Sequence, residues 1–266
     1  MVAYRERLEK ACCERARLCV GLDPHQSLVE KWGLSYDVAG AERLARQTVA
    51  ALAETVAVFK PQSAFFECFG PEGISALKRV LEDIRQAGAL SILDVKRGDI
   101  GSTMAAYASA YLAADAPLAA DAVTLSPYCG FEALRPALDL AKANDRGVYV
   151  LCRTSNPEGE SLQRGQVASG TTVSDEIAAF AHQENLSTGT AYVGLVIGAT
   201  RNNSVELGDF AGSILAPGIG AQGGKVSDLD RLFGQAVSNV LPSSSRGILA
   251  AGPKPQDLRE AVATAV

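Results

Sequence analysis

The chain has 266 residues, of which 47% are hydrophobic and 21% charged, a composition typical of a globular protein with a large core. Its net charge is −5 and no basic run stands out, which argues against nucleic acid and anionic membrane surfaces as partners. The charged amino terminus is unlike a signal peptide, and no apolar run is long enough to predict a membrane span, so we expect a cytoplasmic protein.

Short apolar runs alternate with helical patterns along the whole chain. Eight of these runs are nearly continuous, as expected for strands that are buried on both faces of a parallel sheet. The predicted strands are Leu18–Leu22, Val56–Phe59, Leu90–Leu93, Ala122–Leu125, Val148–Cys152, Tyr192–Ile197, Ser213–Leu215 and Ala236–Leu241.

Amphipathic helices are predicted between these strands, where apolar residues recur at spacings of three and four. The residues that form such faces are Val38, Ala41, Ala45, Thr48 and Leu52; Ile74, Leu77, Leu81 and Ile84; Phe131, Leu134 and Leu138; and Val226, Leu229 and Phe233. A last helix is predicted over Pro255–Ala265, with proline in its first turn.

Eight β–α units in a chain of this length predict a single-domain (β/α)8 TIM barrel. The alternative is a doubly wound open sheet, which usually carries G-x-G-x-x-G after its first strand, whereas Asp23-Pro24-His25 follows here. The longest irregular stretch, Arg153–Thr172, follows the fifth strand. It is either an active-site lid or a plain surface insertion.

Cysteine and histidine usage gives no sign of a metal site. The six cysteines form no C-x-x-C pair, so we expect reduced thiols rather than disulfides or a zinc site. The only histidines, His25 and His182, are too few to suggest a histidine-based metal site or catalytic triad.

The sharpest signal for chemistry is Asp94-Val95-Lys96 at the end of the third predicted strand. Side chains alternate along a strand, so Asp94 and Lys96 are predicted to face the same side. The loops after the strands form the active face of a barrel, and a carboxylate in a cleft there favours the charged form of a lysine, which can donate a proton. A surface salt bridge is the alternative. Lys60 is either a snorkelling surface residue or a second cation beside Asp94.

Two later loops have the features of a phosphate site. The glycine-rich segment 217–224 can bring backbone N–H groups close to an anion, although a tight turn is the alternative. The segment 243–247 would add a helix start and the guanidinium of Arg246. Loops after strands seven and eight commonly bind phosphate in this fold.

Together these motifs resemble the orotidine 5′-phosphate decarboxylase family. The segment that carries the resemblance is D-x-K-x-x-D-I-x-x-T, here Asp94, Lys96, Asp99, Ile100 and Thr103. It is joined by Phe59-Lys60-Pro61-Gln62 upstream and by the glycine-rich segment downstream. The resemblance extends from Asp23 to Arg246, and the sequences of the motifs are similar to those of the longer bacterial subgroup.

The resemblance implies loss of CO₂ from orotidine 5′-phosphate to give uridine 5′-monophosphate in de novo pyrimidine synthesis, with no metal and no cofactor. Lys96 would deliver a proton to C6 of the pyrimidine, and Asp94 would lie against the substrate carboxylate. Lys60 would bridge the ribose and Asp94.

The resemblance also implies the remaining contacts and a homodimer. Asp99 and Thr103 would reach into the neighbouring subunit's site, Asp99 as a fourth catalytic residue. The implied substrate contacts are Asp23 with a ribose hydroxyl, Ser155 with the pyrimidine, Gln222 and Arg246 with the 5′-phosphate, and Ile100, Pro217 and Gly223 along the same site.

Three other interpretations stay open. The first is a related barrel enzyme that acts on keto-sugar phosphates, shares the D-x-K-x-x-D strand and uses magnesium. The second is a Schiff-base aldolase, which needs a lysine of lowered pKa and is therefore opposed by the acids beside Lys96. The third is a non-catalytic nucleotide-binding module, which would keep the phosphate loops but lose the alternating charges.

Overall fold

A computed structural model describes residues 2–199, 205–218 and 228–265 of the chain. Within these residues eight parallel strands pair in chain order, and the last strand pairs with the first to close a barrel. The strands are β1 (Ala16–Leu22), β2 (Val56–Pro61), β3 (Leu90–Arg97), β4 (Ala122–Leu125), β5 (Gly147–Arg153), β6 (Val193–Ile197), β7 (Ile214–Pro217) and β8 (Val240–Ser244). The predicted (β/α)8 barrel is confirmed.

Helices connect the strands and cover the outside of the barrel. They are α1 (Tyr4–Glu14), α2 (Gln26–Lys31), α3 (Val38–Leu52), α4 (Ala64–Glu67), α5 (Gly70–Gln86), α6 (Gly101–Leu112), α7 (Arg135–Ala143), α8 (Glu160–Gln163), α9 (Val173–Thr188), α10 (Leu229–Phe233), α11 (Arg246–Leu249) and α12 (Pro255–Ala265). Short 3-10 turns occupy Phe131–Leu134, Pro157–Gly159 and Gly234–Asn239. None of the described helices is long and apolar enough to span a membrane.

Two segments differ from the sequence-based prediction. The strand predicted over Ala236–Leu241 begins only at Val240, because Gly234–Asn239 forms a 3-10 turn whose Ala236 is buried in the core. An apolar run does not distinguish a buried turn from a strand. The stretch Arg153–Thr172 is partly ordered, since it contains α8, a 3-10 turn and a bridge between Gln166 and Thr172.

Helix α1 closes the amino end of the barrel. Tyr4, Leu8 and Ala11 pack against side chains that point into the barrel, and the Tyr4 hydroxyl lies 3.0 Å from that of Tyr149. Gly147 begins β5 directly under the Tyr4 ring, where an added Cβ would lie 2.4 Å from the ring carbons. This close approach requires glycine and fills the interior of the barrel under α1.

Polar contacts around α1 fix this end further. Arg7 forms an ion pair with Asp121, which precedes β4, and Arg5 donates to the Asn239 side chain at 2.7 Å.

All six cysteines are free, and Cys19 and Cys152 are buried. The carboxyl ends of the strands, by contrast, carry the groups described next.

Candidate active site

Three charged side chains meet at the carboxyl ends of β2 and β3. Lys60 Nζ donates to Asp94 Oδ2 and Lys96 Nζ donates to Asp94 Oδ1, each at 2.6 Å. We call these three side chains the charge cluster. Lys60 and Asp94 are only 8% and 7% exposed, whereas the Lys96 side chain is 44% exposed. Lys96 therefore lies at the solvent edge of a buried ion pair, which is where a ligand can reach an ammonium group.

The ionisation of the charge cluster follows from these contacts. Burial by itself raises the pKa of Asp94, but the ammonium groups of Lys60 and Lys96 outweigh burial and hold that pKa well below its usual range. Burial likewise lowers the pKa of Lys60, but Asp94 and then Asp23 outweigh it and raise that pKa above its usual value. Asp94 is therefore a carboxylate and Lys60 an ammonium at neutral pH.

Two neutral donors complete the hydrogen bonding of Asp94. The Thr124 hydroxyl donates to Oδ1 at 2.7 Å, and Gln62 Nε2 donates to Oδ2 at 3.2 Å. Each carboxylate oxygen thus accepts from one ammonium and one uncharged group. Sequence reasoning quoted Gln62 only as part of a motif and missed Thr124. The available signal for Thr124 was one polar residue within the apolar run Ala122–Leu125.

Asp94 and Lys96 do meet, as predicted, but not through regular strand alternation. The pairing of β3 with β4 passes from Leu93 with Val123 to Arg97 with Leu125, so β3 carries extra residues at this point. Within this bulge Lys96 has a φ of 46°, a left-handed conformation that few residues other than glycine adopt. Bulges commonly redirect side chains next to active sites.

A second pair of polar residues lies just after β1 and just after β8. Asp23 Oδ1 and Ser245 Oγ are buried atoms that have no hydrogen-bond partner among the described residues. A Cβ added at Gly21 would lie 3.3 Å from Asp23 Oδ1 and 2.7 Å from the Ser245 Cβ. The bare backbone at Gly21 thus borders two polar atoms, and buried atoms of this kind normally have a partner such as water or ligand.

The residues after β3 lie at the surface. Ile100 is 63% exposed, Thr103 is exposed in the first turn of α6, and Asp99 is half-buried, its carboxylate accepting from the Ile100 backbone N–H at 2.8 Å. Within the described part of this chain, none of these three forms a hydrogen bond or ion pair with the charge cluster. Ile100 and Thr103 are therefore accessible to another molecule.

The predicted ligand residues of the later loops are only partly described. Ser155 is half-buried just beyond β5, Pro217 ends β7 next to Ser243, and Arg246 is exposed at the first residue of α11. Gln222 and Gly223 lie outside the described residues, as does Val226 of a predicted helix face.

Two cavities lie at opposite ends of the barrel. One of about 290 Å³ opens beside the charge cluster and is lined by Gln62, Asp94 and Lys96 among others. A larger one of about 770 Å³ lies at the amino end, where Arg7 pairs with Asp121 and Arg85 lies 3.7 Å from Glu82. We place the candidate site at the smaller cavity, because barrel active sites lie at the carboxyl ends of the strands.

In the charge cluster, two ammonium groups surround one carboxylate. In residues 2–199, 205–218 and 228–265 no three His, Cys, Asp or Glu side chains come together as a group that could hold a metal ion. A closed (β/α)8 barrel with a buried ion pair at the carboxyl ends of its strands defines the class as a barrel enzyme.

Comparisons with known proteins identify the family within this class. The family model for orotidine 5′-phosphate decarboxylase / HUMPS matches residues 16–261. The chain is 50% identical to an orotidine 5′-phosphate decarboxylase from Streptomyces coelicolor and 51% identical to one from Salinispora arenicola, in each case over 98% of this chain and 95% of the relative.

Solved structures agree with this match. A Streptomyces avermitilis protein considered to be an orotidine 5′-phosphate decarboxylase superposes with a TM-score of 0.95 at 50% identity, covering 98% of this chain and 93% of that one. The Leishmania donovani OMP decarboxylase gives 0.78 at 30% identity, covering 99% and 95%. The chain belongs to the orotidine 5′-phosphate decarboxylase / HUMPS family.

Proposed function

We propose that this protein converts orotidine 5′-phosphate into uridine 5′-monophosphate and CO₂, the decarboxylation of de novo pyrimidine synthesis. The observation that carries the proposal is the charge cluster, in which Asp94 holds the ammonium groups of Lys60 and Lys96 at 2.6 Å. Relatives that are about 50% identical over nearly the whole chain carry the name of this activity. Among barrel enzymes the cluster favours chemistry that needs a fixed positive charge and a proton.

The reaction needs one bond to break and one to form. The C–C bond between C6 and the carboxylate breaks, CO₂ leaves, and the electron pair stays on C6. The Lys96 ammonium stabilises this charge and transfers its proton to C6, and water then reprotonates the amine. Fixed donors of this kind lower the barrier because they need no reorganisation during the reaction.

Asp94 and Lys60 orient the substrate at its carboxylate and at its ribose. Asp94 lies against the substrate carboxylate and holds Lys96 in position, while Lys60 bridges Asp94 and the ribose. Asp23 accepts a hydrogen bond from a ribose hydroxyl. The unpartnered Oδ1 of Asp23 beside the glycine backbone of β1 supports this role.

The phosphate and the pyrimidine bind at the loops after β5, β7 and β8. Gln222 and Arg246 hold the 5′-phosphate, Pro217 and Gly223 line the same segment, and Ser155 contacts the ring. The exposed guanidinium of Arg246 supports this arrangement, since arginine is suited to bidentate contact with phosphate. Binding energy from this remote group helps to position the ring.

The working form is a homodimer that shares its sites. Asp99, as a catalytic residue, and Ile100 and Thr103 complete the site of the neighbouring copy. The exposure of Ile100 and Thr103, next to the charged cleft, supports this role.

We further propose that residues 1–266 act as one catalytic domain in the cytoplasm, with no nucleic acid or membrane partner.

The direct test is an absorbance assay of orotidine 5′-phosphate turnover in excess chelator, with a keto-sugar phosphate as the rival substrate. We expect turnover of the nucleotide that is unaffected by chelation. Turnover of the sugar phosphate alone, restored by magnesium, would replace this proposal with the sugar-phosphate activity. Tight binding of uridine phosphates without decarboxylation would support a binding module instead.

The shared site has its own test in mixtures of two inactive variants. Hybrid dimers of Asp99→Ala and Lys96→Ala protomers contain one site with both residues intact, so we expect part of the activity to return. Each variant alone is the control. Continued inactivity after subunit exchange has been demonstrated by mass spectrometry would contradict the shared site.

A further inference from the structure

The bulge in β3 depends on one buried hydroxyl from the neighbouring strand. Thr124, which is 1% exposed, lies opposite the irregular part of β3. Its Oγ1 accepts from the Lys96 backbone N–H at 3.0 Å and donates to Asp94 Oδ1 at 2.7 Å. A hydroxyl has one proton to donate, so these two contacts fix its orientation completely.

The contact with Lys96 replaces a missing strand hydrogen bond. Within a bulge the ladder is interrupted, and a buried backbone N–H must find another acceptor. The Lys96 N–H finds it in the Thr124 side chain rather than in the β4 backbone. Pairing resumes one residue later, where Ser126 N donates to the Arg97 carbonyl at 2.7 Å. The left-handed backbone of Lys96 is therefore held from one side by Thr124.

The contact with Asp94 places the same hydroxyl on the atom that binds the Lys96 ammonium. Lys96 Nζ and Thr124 Oγ1 both donate to Oδ1, while Lys60 and Gln62 donate to Oδ2. Thr124 thus fixes the Lys96 main chain and the carboxylate that holds the far end of the Lys96 side chain. Without it, both ends of this lysine lose a restraint.

We propose that Thr124 is a positioning residue, whose hydroxyl holds the bulge of β3 so that the Lys96 ammonium points at the reacting carbon. The inference rests on the proposed decarboxylation for its kinetic readout but not for its structural one. Thr124 is 1% exposed and its hydroxyl is engaged by Lys96 and Asp94, so it acts through these two residues.

The first test is Thr124→Val, which keeps the shape and removes the hydroxyl. We expect turnover per binding site to fall by about 10- to 100-fold, the loss that follows a small misplacement of a catalytic group, with little change in KM. Binding sites are counted by titration with uridine 5′-monophosphate, so unfolded protein does not contribute. Turnover within about twofold of wild type in the folded variant would overturn the proposal.

The matched control is Thr48→Val in α3. Thr48 is fully buried, and its hydroxyl donates to the Leu44 carbonyl at 2.8 Å and not to the charge cluster. This variant removes the same atom from an equally buried threonine, so we expect no loss of turnover per site. Equal losses of turnover in both variants would show a general effect of burial and contradict the specific role.

A second pair of variants tests the proposal if Thr124→Val fails to fold. Thr124→Ser and Thr124→Ala both lose the methyl group and differ only in the hydroxyl. The serine variant is expected to turn over at least about tenfold faster than the alanine variant. Equal rates in the two would overturn the proposal.

A crystal structure separates this proposal from the proposed function. If wild type does not decarboxylate orotidine 5′-phosphate, the function fails, but the structural claim can still be read from the Thr124 variant that folds without the hydroxyl. We expect the Lys96 φ to leave its value of 46° for the negative region. An unchanged left-handed Lys96 in that variant would overturn the positioning role.

Discussion

The two ends of the barrel differ in what their polar groups contact. At the amino end, α1 fills the barrel with Tyr4 and Leu8, and the ion pair between Arg7 and Asp121 lies at its rim. At the carboxyl end, the charge cluster lies in the floor of an open cleft, and Asp23 Oδ1 and Ser245 Oγ have no partner among the described residues.

This difference separates stability from chemistry within one fold. The amino end gains stability from packing and from polar groups that satisfy one another. The carboxyl end keeps buried charges and unpaired polar atoms, which cost stability unless a ligand or a fixed partner compensates them. Substitutions at the amino end should therefore change stability alone, whereas those in the charge cluster should also change turnover.

The largest expected effect is that of Lys96→Ala on turnover. Loss of the proton donor and of its positive charge is expected to lower kcat at least about 1,000-fold, while binding of uridine 5′-monophosphate survives. The matched control is Lys78→Ala, which removes an exposed lysine that lines the amino-end cavity. Substantial turnover of a purified Lys96→Ala protein would contradict the proton-donor role.

The next effect is that of Asp94→Asn on stability. The substitution leaves the Lys60 ammonium buried without its carboxylate, so we expect a loss of about 3–5 kcal/mol in the free energy of unfolding. The folded pKa of Asp94 is depressed, so its contribution is present above the unfolded pKa and is lost as the pH falls through the folded pKa.

Urea unfolding of wild type and Asp94→Asn at pH about 7 and about 3 measures this contribution. The difference between the two proteins should narrow in acid. A difference that is small at neutral pH, or one that grows as the pH falls, would show that the ion pair does not stabilise the fold in this way.

A smaller loss of stability, without a loss of turnover, is expected for Leu8→Ala in α1. Leu8 is 1% exposed under the barrel, and its truncation should cost about 2–4 kcal/mol of stability through lost burial and a cavity. Because the site lies at the other end, kcat and KM of the folded protein should stay at wild-type values. Thermal melting and steady-state kinetics at a temperature where both proteins are folded provide the check, and a fall in kcat there would break the separation.

The smallest effect is expected for Asp121→Asn. This carboxylate accepts from Arg7 and from the backbone and side chain of Ser91, the latter two at 3.0 Å, and it is 22% exposed. The asparagine keeps part of this hydrogen bonding, so we expect a loss of about 1 kcal/mol and normal turnover. A loss as large as that of Asp94→Asn would mean that the two ends use charge alike.

Much of the fold follows from local patterns that the sequence displays directly. Strands that are buried on both faces give continuous apolar runs, which is why all eight predicted strands overlap the observed ones. The eighth was wrong at its start, because Ala236 is apolar for a different reason, namely burial in a 3-10 turn. The meeting of Asp94 with Lys60 followed from their positions at the ends of neighbouring strands.

The details of the site depend on contacts between distant residues, which a local pattern does not contain. The left-handed Lys96 is held by Thr124, 28 residues later in the chain. The proximity of Asp23 to Ser245 depends on closure of the barrel between β1 and β8. Such features follow from tertiary structure, so strand alternation predicted the right partners for the wrong geometric reason.

The position of α1 also bears on the order of assembly during synthesis. Tyr4 meets Tyr149 across 145 positions, and Arg5 meets Asn239 across 234, so α1 is synthesised well before its most distant partners. Contacts this distant carry a large loop-closure cost and form slowly. Docking of the amino-terminal helix should therefore mark the completion of the barrel, and a nascent chain that stops before β8 should leave this helix open to proteases.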